Sequence, residues 1–126
     1  MRIYTSNLDM TPIGNWNTSN VTNMANMFNS ATSFDQPINN WRTDKVTNMA
    51  LMFHGASAFN QPIADWNTAN VTDISGMFNQ ATAFNQSIAN WDTSHVVNLS
   101  FTFRQAAYFN QSIENWDTAA ATTIVA

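Results

Sequence analysis

The sequence predicts an α/β repeat solenoid in which the chain completes one coil about every 25 residues. The first observation is a row of five tryptophans at 25-residue intervals, with no insertion or deletion between them. They are Trp16, Trp41, Trp66, Trp91 and Trp116. The second is that apolar residues between them recur in the same register, as Ile38, Ile63 and Ile88 do. One coil of this length cannot bury enough apolar surface alone, so we expect the coils to stack on one another.

The repeat divides the chain into two parts. Residues 1–12 match it only loosely, because Leu8 lies one place early relative to Phe34. We therefore predict an N-terminal partial coil or cap at 1–12, and a solenoid of 25-residue repeats at 13–126 whose last coil is truncated.

Each coil contains one segment with helical spacing and one that favours extended backbone. In each of the first three coils, four apolar residues are spaced i, i+3, i+4 and i+7, as on one face of a short helix. In the first coil they are Met24, Met27, Phe28 and Ala31. Thr22 precedes them as an N-cap candidate. The segment 34–41 contains Pro37, which disfavours a helix. These patterns predict short helices on one side of the solenoid and short strands on the other.

Polar rows follow the same register as the apolar ones. Asn60, Asn85 and Asn110 occupy one row, where amide side chains can bond from coil to coil. The tryptophan row has two interpretations, a carbohydrate-binding platform or a structural ladder of packed indoles. An unbroken row of five is more simply a ladder, so we favour the structural interpretation for both rows.

Composition excludes several classes of partner. Charged residues make up only 10% of the chain, the net charge is −4, and lysine and arginine total four. Nucleic acids and anionic membranes need clustered positive charge, so neither is an expected partner. There is no cysteine, and no apolar run is long enough to span a membrane.

The consensus of the coils identifies a resemblance, and the copy that starts at Phe59 follows it with Ile74 in place of the first methionine. Phe-Asn-Gln-Pro-Ile-x-x-Trp-x-Thr-x-x-Val-Thr-x-Met-x-x-Met-Phe-x-x-Ala resembles the short repeat of BspA-like bacterial surface proteins, a variant of the leucine-rich repeat. The resemblance covers roughly residues 10–124. It implies a leucine-rich-repeat-like, right-handed coil and an extracellular or cell-surface location. It also implies adhesion or protein binding without catalysis, although the N-terminus Met1-Arg2-Ile3-Tyr4 lacks the apolar core of a signal peptide.

The titratable residues predict no catalytic, cofactor or metal site. His54 and His95 have no His, Cys or carboxylate partner at metal-ligand spacing, so we interpret both as surface residues. Asp92 and Asp117 share a row and could hold a cation weakly between coils. Two carboxylates fall short of the six to eight oxygens that calcium requires. We therefore expect no enzyme.

Departures from the repeat give the candidate contact residues. Phe101 and Tyr108 place aromatic rings where other coils mostly have small or polar residues, and Arg104 is close in sequence. Exposed aromatics with an arginine are typical of contact hot spots, and covering the end of the stack is an equally good explanation. Near the C-terminus, Ile124 and Val125 predict an apolar assembly end that another copy would cover.

Three functional hypotheses follow. The first is a cell-surface or secreted interaction or adhesion module that binds a protein partner. The second is a structural subunit that forms dimers or filaments by end-to-end stacking with another copy of itself. The third, less favoured, is a surface that binds carbohydrate on aromatic rows or ice on threonine rows.

Overall fold

The described part of the chain is a parallel stack of 25-residue units with very little regular secondary structure. The computed structural model describes residues 13–125. Within that range the only helix is a 3-10 helix at Ile13–Asn15, and the only β-pairing consists of isolated parallel bridges. The bridges join Asn23 with Asn48, Asn48 with Asp73, Asp73 with Asn98, and Asn98 with Thr123. Every bridge joins residues 25 apart, so the units lie side by side in register.

We name these units by their residues. Coil 1 is 13–37, coil 2 is 38–62, coil 3 is 63–87, coil 4 is 88–112, and the last half-coil is 113–125. The partial coil or cap predicted at 1–12 lies outside the described residues, so that division of the chain stays a prediction.

The short helices predicted for each coil are wrong. In coil 1 the segment 25–30 forms consecutive turns, and within it Asn26 and Ser30 have φ angles of 63° and 65°. An α-helix needs φ near about −63° at every residue, so these two positions interrupt it. Thr22 is not a helix cap either, because its carbonyl oxygen accepts the N–H of Thr47 in the next coil at 2.8 Å. The same two left-handed positions recur in later coils. They are Leu51, Gly55, Gly76, Gln80, Phe101 and Gln105.

The strand predicted over 34–41 is also wrong. Residues 34–38 belong to no strand, and 39–40 form a turn in which the N–H of Trp41 donates to the carbonyl of Ile38 at 3.1 Å. The bridges lie elsewhere, in the column that starts at Asn23, and each is a single pair. The leucine-rich-repeat-like α/β class, with helices on one side and strands on the other, is therefore not the fold of this chain.

The backbone hydrogen bonds explain why neither element forms. In coil 1 the even-numbered residues from 24 to 30 donate their N–H groups to carbonyls of coil 2, at 2.7–3.0 Å. The odd-numbered residues from 27 to 31 donate instead to carbonyls three residues earlier in the same coil, at 3.0–3.3 Å. Half of the donors thus bond as in a sheet and half as in a turn. Apolar residues point inward at helical spacing although no helix is present.

Aromatic columns fill the interior of the stack. Phe28, Phe53 and Phe78 lie ring over ring, with centroids 5.6–5.7 Å apart from one coil to the next. A second phenylalanine from each coil packs beside this column, with the rings of Phe28 and Phe34 centred 3.9 Å apart. Because every row repeats the same shape, one packing solution serves all the contacts between coils.

The tryptophans form a column of their own. Adjacent indole rings are stacked with centroids 6.3–6.4 Å apart. Each indole N–H after the first donates to an isoleucine carbonyl of the previous coil, as Trp66 does to Ile38 at 3.0 Å. The same bond is made by Trp41, Trp91 and Trp116 at 3.0–3.1 Å. The column therefore ties coils together through the polar edge of each ring as well as through its faces.

The two ends of the described stack differ in burial. In coil 1, Met27 and Phe28 are as fully buried as their equivalents in the interior coils. In coil 4, the equivalent Phe103 is only partly buried, and so is Phe109. The apolar interior is thus closed at coil 1 and open beyond coil 4.

Candidate functional site

The open end of the stack is an apolar surface, which we name the end face. Its residues are Leu99, Phe103, Ile113, Trp116, Ile124 and Val125. They line an open hollow of about 420 Å³, with Thr102, Arg104 and Thr118 beside them. Ile124 is 62% exposed, and Val125 is also exposed. The predicted assembly-end residues therefore lie on this face.

Backbone groups on the end face lack the partners that their equivalents have inside the stack. The N–H groups of Phe28, Phe53 and Phe78 each donate to a carbonyl of the next coil at 2.8–2.9 Å. No residue between 13 and 125 accepts the equivalent N–H of Phe103. The same is true of Gln105, whereas the N–H of Gln80 donates to Arg104 at 2.8 Å.

The end face also offers hydrogen-bond acceptors. The carbonyl of Ile88 accepts the indole N–H of Trp116 at 3.0 Å, but no indole of the described residues reaches the carbonyl of Ile113. The side-chain oxygen of Asn85 accepts the N–H of Asn110 at 2.9 Å, and that of Asn110 accepts nothing equivalent in the described chain. The face thus presents the donor and acceptor pattern of an interior contact between coils.

Phe101 and Arg104 form a second exposed feature, which we name the contact patch. The Arg104 guanidinium carbon lies 5.3 Å from the centroid of the Phe101 ring, within the range of a cation–π contact. Phe101 is 37% exposed and adopts a left-handed φ of 60°. Its backbone N–H donates to the carbonyl of Val125 at 2.7 Å, so the contact patch borders the end face.

Tyr108 is the most exposed large apolar side chain of the described residues, at 70%. Its backbone N–H donates to the carbonyl of Thr82 in coil 3 at 3.3 Å, which fixes the main chain beside the stack. The phenol ring is therefore presented to solvent from an anchored backbone.

The tryptophan column offers little surface to a sugar. Trp66 is 3% exposed, and Trp41 and Trp91 are similarly buried. Trp116 is partly buried at the end face, and Trp16 at the first described coil is 41% exposed. Stacking against a sugar ring requires an open indole face, and the three interior indoles have neighbours on both faces.

The threonine column of Thr18 is likewise inside the stack. Thr18, Thr43, Thr68 and Thr93 are buried. Each hydroxyl donates to a backbone carbonyl of the next coil, as that of Thr68 does to Asp92 at 3.0 Å. The column of Thr22 is exposed, but Val97 replaces threonine within it. A flat pair of exposed threonine columns is therefore not formed by these two rows.

The asparagine row bonds from coil to coil along the side of the stack. The side-chain oxygen of Asn60 accepts the backbone N–H of Asn85 at 2.9 Å and the side-chain amide of Gln86 at 3.2 Å. Asn85 and Asn110 repeat the first bond at 2.9 Å. The side-chain oxygens of Asn60 and Asn85 are thus used within the stack, and Asp35 starts the row with the same bond to Asn60.

The titratable groups are dispersed. The Ser94 hydroxyl and backbone N–H donate to the Asp92 carboxylate, which holds the pKa of that carboxyl below its ordinary value. The Asp44 pKa is likewise lowered, chiefly by the side-chain hydrogen bond from Arg42 at 2.8 Å. His95 contacts the carbonyl of Ala69 through Nδ1 at 2.9 Å. Residues 13–125 contain no group of three or more His, Asp or Glu side chains placed to hold a metal ion.

Sequence reasoning had missed four members of the end face, Leu99, Phe103, Ile113 and Trp116. Each occupies a repeat position that is buried in the interior coils, so the sequence pattern predicts that it is buried too. Only the burial seen in the structure separates them, since these four are partly buried where their equivalents in the interior coils are buried. His54 differs in another way: its Nδ1 is buried and has no hydrogen-bond partner among residues 13–125, whereas the sequence predicts a surface residue.

The fold and the site together define a class of protein, namely a stack of 25-residue coils with an exposed apolar end and an exposed aromatic–arginine patch. The chain belongs to the family described as "Mycoplasma protein of unknown function, DUF285", which matches residues 62–126, just over half of the sequence. This membership is consistent with a surface-associated repeat protein, and it does not extend to the leucine-rich-repeat assignment. None of the curated proteins or solved structures matches the chain. No helix within residues 13–125 is long and apolar enough to cross a membrane.

Proposed function

We propose that this chain is a non-enzymatic interaction module of the cell surface or the extracellular space, and that it binds a protein partner. The contact patch is the observation that carries the proposal. A bulky side chain in the left-handed region costs about 1–2 kcal/mol. Phe101 occupies such a position, where coils 1 and 3 place Asn26 and Gly76 and coil 2 places Leu51. Strain of this kind, on an exposed aromatic with an arginine over its ring, is typical of a contact residue.

The stack supports this role because its interior is built from repeated contacts while its surface residues vary. The phenylalanine columns keep one geometry from coil to coil, with ring centroids 5.6–5.9 Å apart. Positions outside the columns are free to differ, as Ser33, Ala58, Ala83 and Tyr108 do in one row. A rigid scaffold with variable positions is suited to recognising a protein surface.

Photo-crosslinking on intact cells tests this function. A photoreactive phenylalanine analogue is placed at Tyr108, and the matched control carries it at Ala58, the equivalent position of coil 2. We expect a discrete crosslinked partner from position 108, lost in Phe101→Asn, and none from position 58. Equal labelling at both positions, or no labelling of cells displaying the chain, would count against the proposal.

Self-assembly is the second candidate, and the end face favours it. Large exposed apolar patches commonly mediate association between proteins, and the end face is such a patch. Sedimentation velocity over a range of concentrations tests it. A concentration-dependent dimer or filament that is abolished by Ile124→Asp with Val125→Asp would support assembly through the end face. A monomer at every concentration would dismiss it.

A further inference from the structure

We propose that a row of amide side chains along the outside of the stack binds an extended β-linked glycan, with Tyr108 as an aromatic platform beside it. The row, which we name the amide ladder, takes one asparagine and one glutamine from each of coils 2 to 4. The inference goes beyond the proposed function, because the protein contact rests on Phe101 and Arg104 instead. The members of the ladder are Asn60, Gln61, Asn85, Gln86, Asn110 and Gln111.

Hydrogen bonds between coils fix which end of each amide is left over. The side-chain oxygen of Asn60 accepts the backbone N–H of Asn85 at 2.9 Å, and a backbone N–H can only donate, so this atom must be the oxygen. The side-chain nitrogen of Gln86 donates to the backbone and side-chain oxygens of Asn60 at 3.1 and 3.2 Å. Gln61 makes the same two bonds to Asp35, at 3.0 and 3.1 Å.

The atoms left over give a regular array of one donor and one acceptor for each coil. In coils 2 and 3, the side-chain atoms without a hydrogen-bond partner among residues 13–125 are Nδ2 of Asn60 and Asn85 and Oε1 of Gln61 and Gln86. Because Gln86 bonds to Asn60, their free atoms belong to adjoining amides. A sugar hydroxyl both donates and accepts, so it can bond both atoms. The stack holds these amides in place beforehand, which lowers the entropy cost of binding.

The spacing of the amide ladder selects the class of polymer. Backbone bonds join neighbouring coils as they join strands, for example from Phe53 to Met77 at 2.9 Å, so the coils lie about 4.8 Å apart. An extended glycan of β-linked pyranose units advances by nearly one such step per sugar. An extended peptide repeats on one face only every 6.6–6.8 Å or about that, so it falls out of register within two coils. The ladder carries no charge, which disfavours nucleic acids.

Tyr108 adds an aromatic surface beside the amide ladder. It is 70% exposed and lies two residues before Asn110, with Phe109 between them packed against the core. The equivalent positions of coils 2 and 3 are Ala58 and Ala83, so this column has room for a sugar ring next to the phenol. The C–H face of a pyranose packs on an open aromatic ring while its hydroxyls bond polar groups at the edge. The ladder and Tyr108 together offer both kinds of contact.

Titration of the full-length chain with hexasaccharides, followed by NMR, tests the proposal. The probes are cellohexaose and chitohexaose, which are extended β-linked glycans, and maltohexaose, an α-linked glucan that coils. We expect at least one of the extended glycans to shift the side-chain amide resonances of Asn60, Asn85 and Gln86, with a Kd below about 1 mM. Maltohexaose should bind about tenfold more weakly or less, because its sugars do not follow the ladder.

The substitution Asn85→Asp removes a free donor and keeps the bond that holds the stack. Asp35 shows that a carboxylate in this column accepts the same backbone N–H, that of Asn60 at 2.9 Å. The variant should therefore unfold at the same urea concentration and bind the glycan about tenfold more weakly. The matched control is Asn67→Asp, outside the ladder, where Asp92 in the same column already accepts an equivalent backbone N–H. It adds the same charge and should leave the affinity unchanged.

A second pair of variants separates this site from the protein contact. Tyr108→Ala should weaken glycan binding, whereas Phe101→Asn should leave it unchanged while abolishing the protein crosslink. The two proposals can therefore fail independently. No amide shift with either extended glycan at about 1 mM, equal binding of maltohexaose, or full affinity in both Asn85→Asp and Tyr108→Ala would overturn the glycan site.

Discussion

The indole N–H groups of the tryptophan column hold neighbouring coils in register, one hydrogen bond per coil. Each indole N–H reaches back 28 residues to an isoleucine carbonyl, so the bond exists only when two coils are aligned. Trp16 differs, because it is exposed and its indole N–H reaches no acceptor among the described residues. The row therefore contains both the test residue and its control.

Replacing Trp66 with Phe should destabilise the protein by about 1–3 kcal/mol, since the N–H bond to Ile38 is lost and a smaller ring leaves unfilled space. The measurement is the free energy of unfolding in urea. Trp16→Phe should cost less than about 0.5 kcal/mol, because this ring is exposed and its N–H makes no bond to another coil within residues 13–125. Equal effects of the two substitutions would show that the column is not held by its polar edge.

At Phe101 we expect a substitution to stabilise the protein, because the backbone of this residue is strained. Phe101→Asn should raise the free energy of unfolding by about 0.5–1 kcal/mol, since asparagine adopts the left-handed conformation more readily and already does so at Asn26. Thermal unfolding measures the change. Tyr108→Asn is the control, because Tyr108 has no positive φ and its replacement should bring no gain. A loss of stability in Phe101→Asn would mean that packing of the ring outweighs the strain.

At the scale of a segment, the sequence predicts the buried columns correctly but not the secondary structure. The spacing of Met24, Met27, Phe28 and Ala31 identifies the buried side correctly, because it reports only which side chains point inward. It does not report where the N–H groups go, and two left-handed residues per coil send half of them to the next coil. A helix of the same spacing would bond every N–H within itself. The spacing of apolar residues therefore predicts which side chains are buried, but it does not predict which carbonyls accept the backbone N–H groups.

Substitution of Gly76 tests how closely the turns of neighbouring coils pack against one another. A Cβ on Gly76 would lie 2.6 Å from Cδ2 of Leu51, whereas one on Gly55 would have no heavy atom closer than 3.7 Å. Both residues have positive φ, so Gly55→Ala should cost about 1–2 kcal/mol from backbone strain alone. Gly76→Ala should cost about 1 kcal/mol more, because the Leu51 side chain must move.

A double-mutant cycle measured by urea unfolding isolates that excess. In a Leu51→Ala background the cost of Gly76→Ala should fall to that of Gly55→Ala, because the clashing methyl group is gone. If the excess persists without the leucine side chain, the strain at Gly76 has a purely backbone origin.

At the scale of the whole molecule, stability depends on how many coils have neighbours. Interior coils are covered on both sides, while coil 4 exposes part of its core. The stack is therefore expected to gain stability with every coil added, as an array of nearest-neighbour contacts does. The apolar columns that form the end face can be read from the sequence, but its donor and acceptor pattern cannot, because that pattern depends on the hydrogen bonds between coils.

Extending the chain tests this dependence. Appending the sequence of residues 52–76 after Ala126 should raise the free energy of unfolding by about 2 kcal/mol or more, because it buries Phe103, Ile113 and Trp116. Far-ultraviolet circular dichroism of the extended chain should still lack a helical spectrum. An appended segment with serine at its apolar columns is the control and should add no stability. A gain of helical signal on extension would contradict the turn-based coil described above.

The unbroken 25-residue register has a consequence for how such a gene can vary. Inserting or deleting one codon inside a coil would shift every later residue by one position relative to the columns of the earlier coils. Asparagines would then stack on phenylalanines, and isoleucines would face solvent. Duplicating or excising one complete period leaves all the columns in line. Inherited changes in the length of this protein should therefore come in whole periods, while point substitutions accumulate on the outer surface.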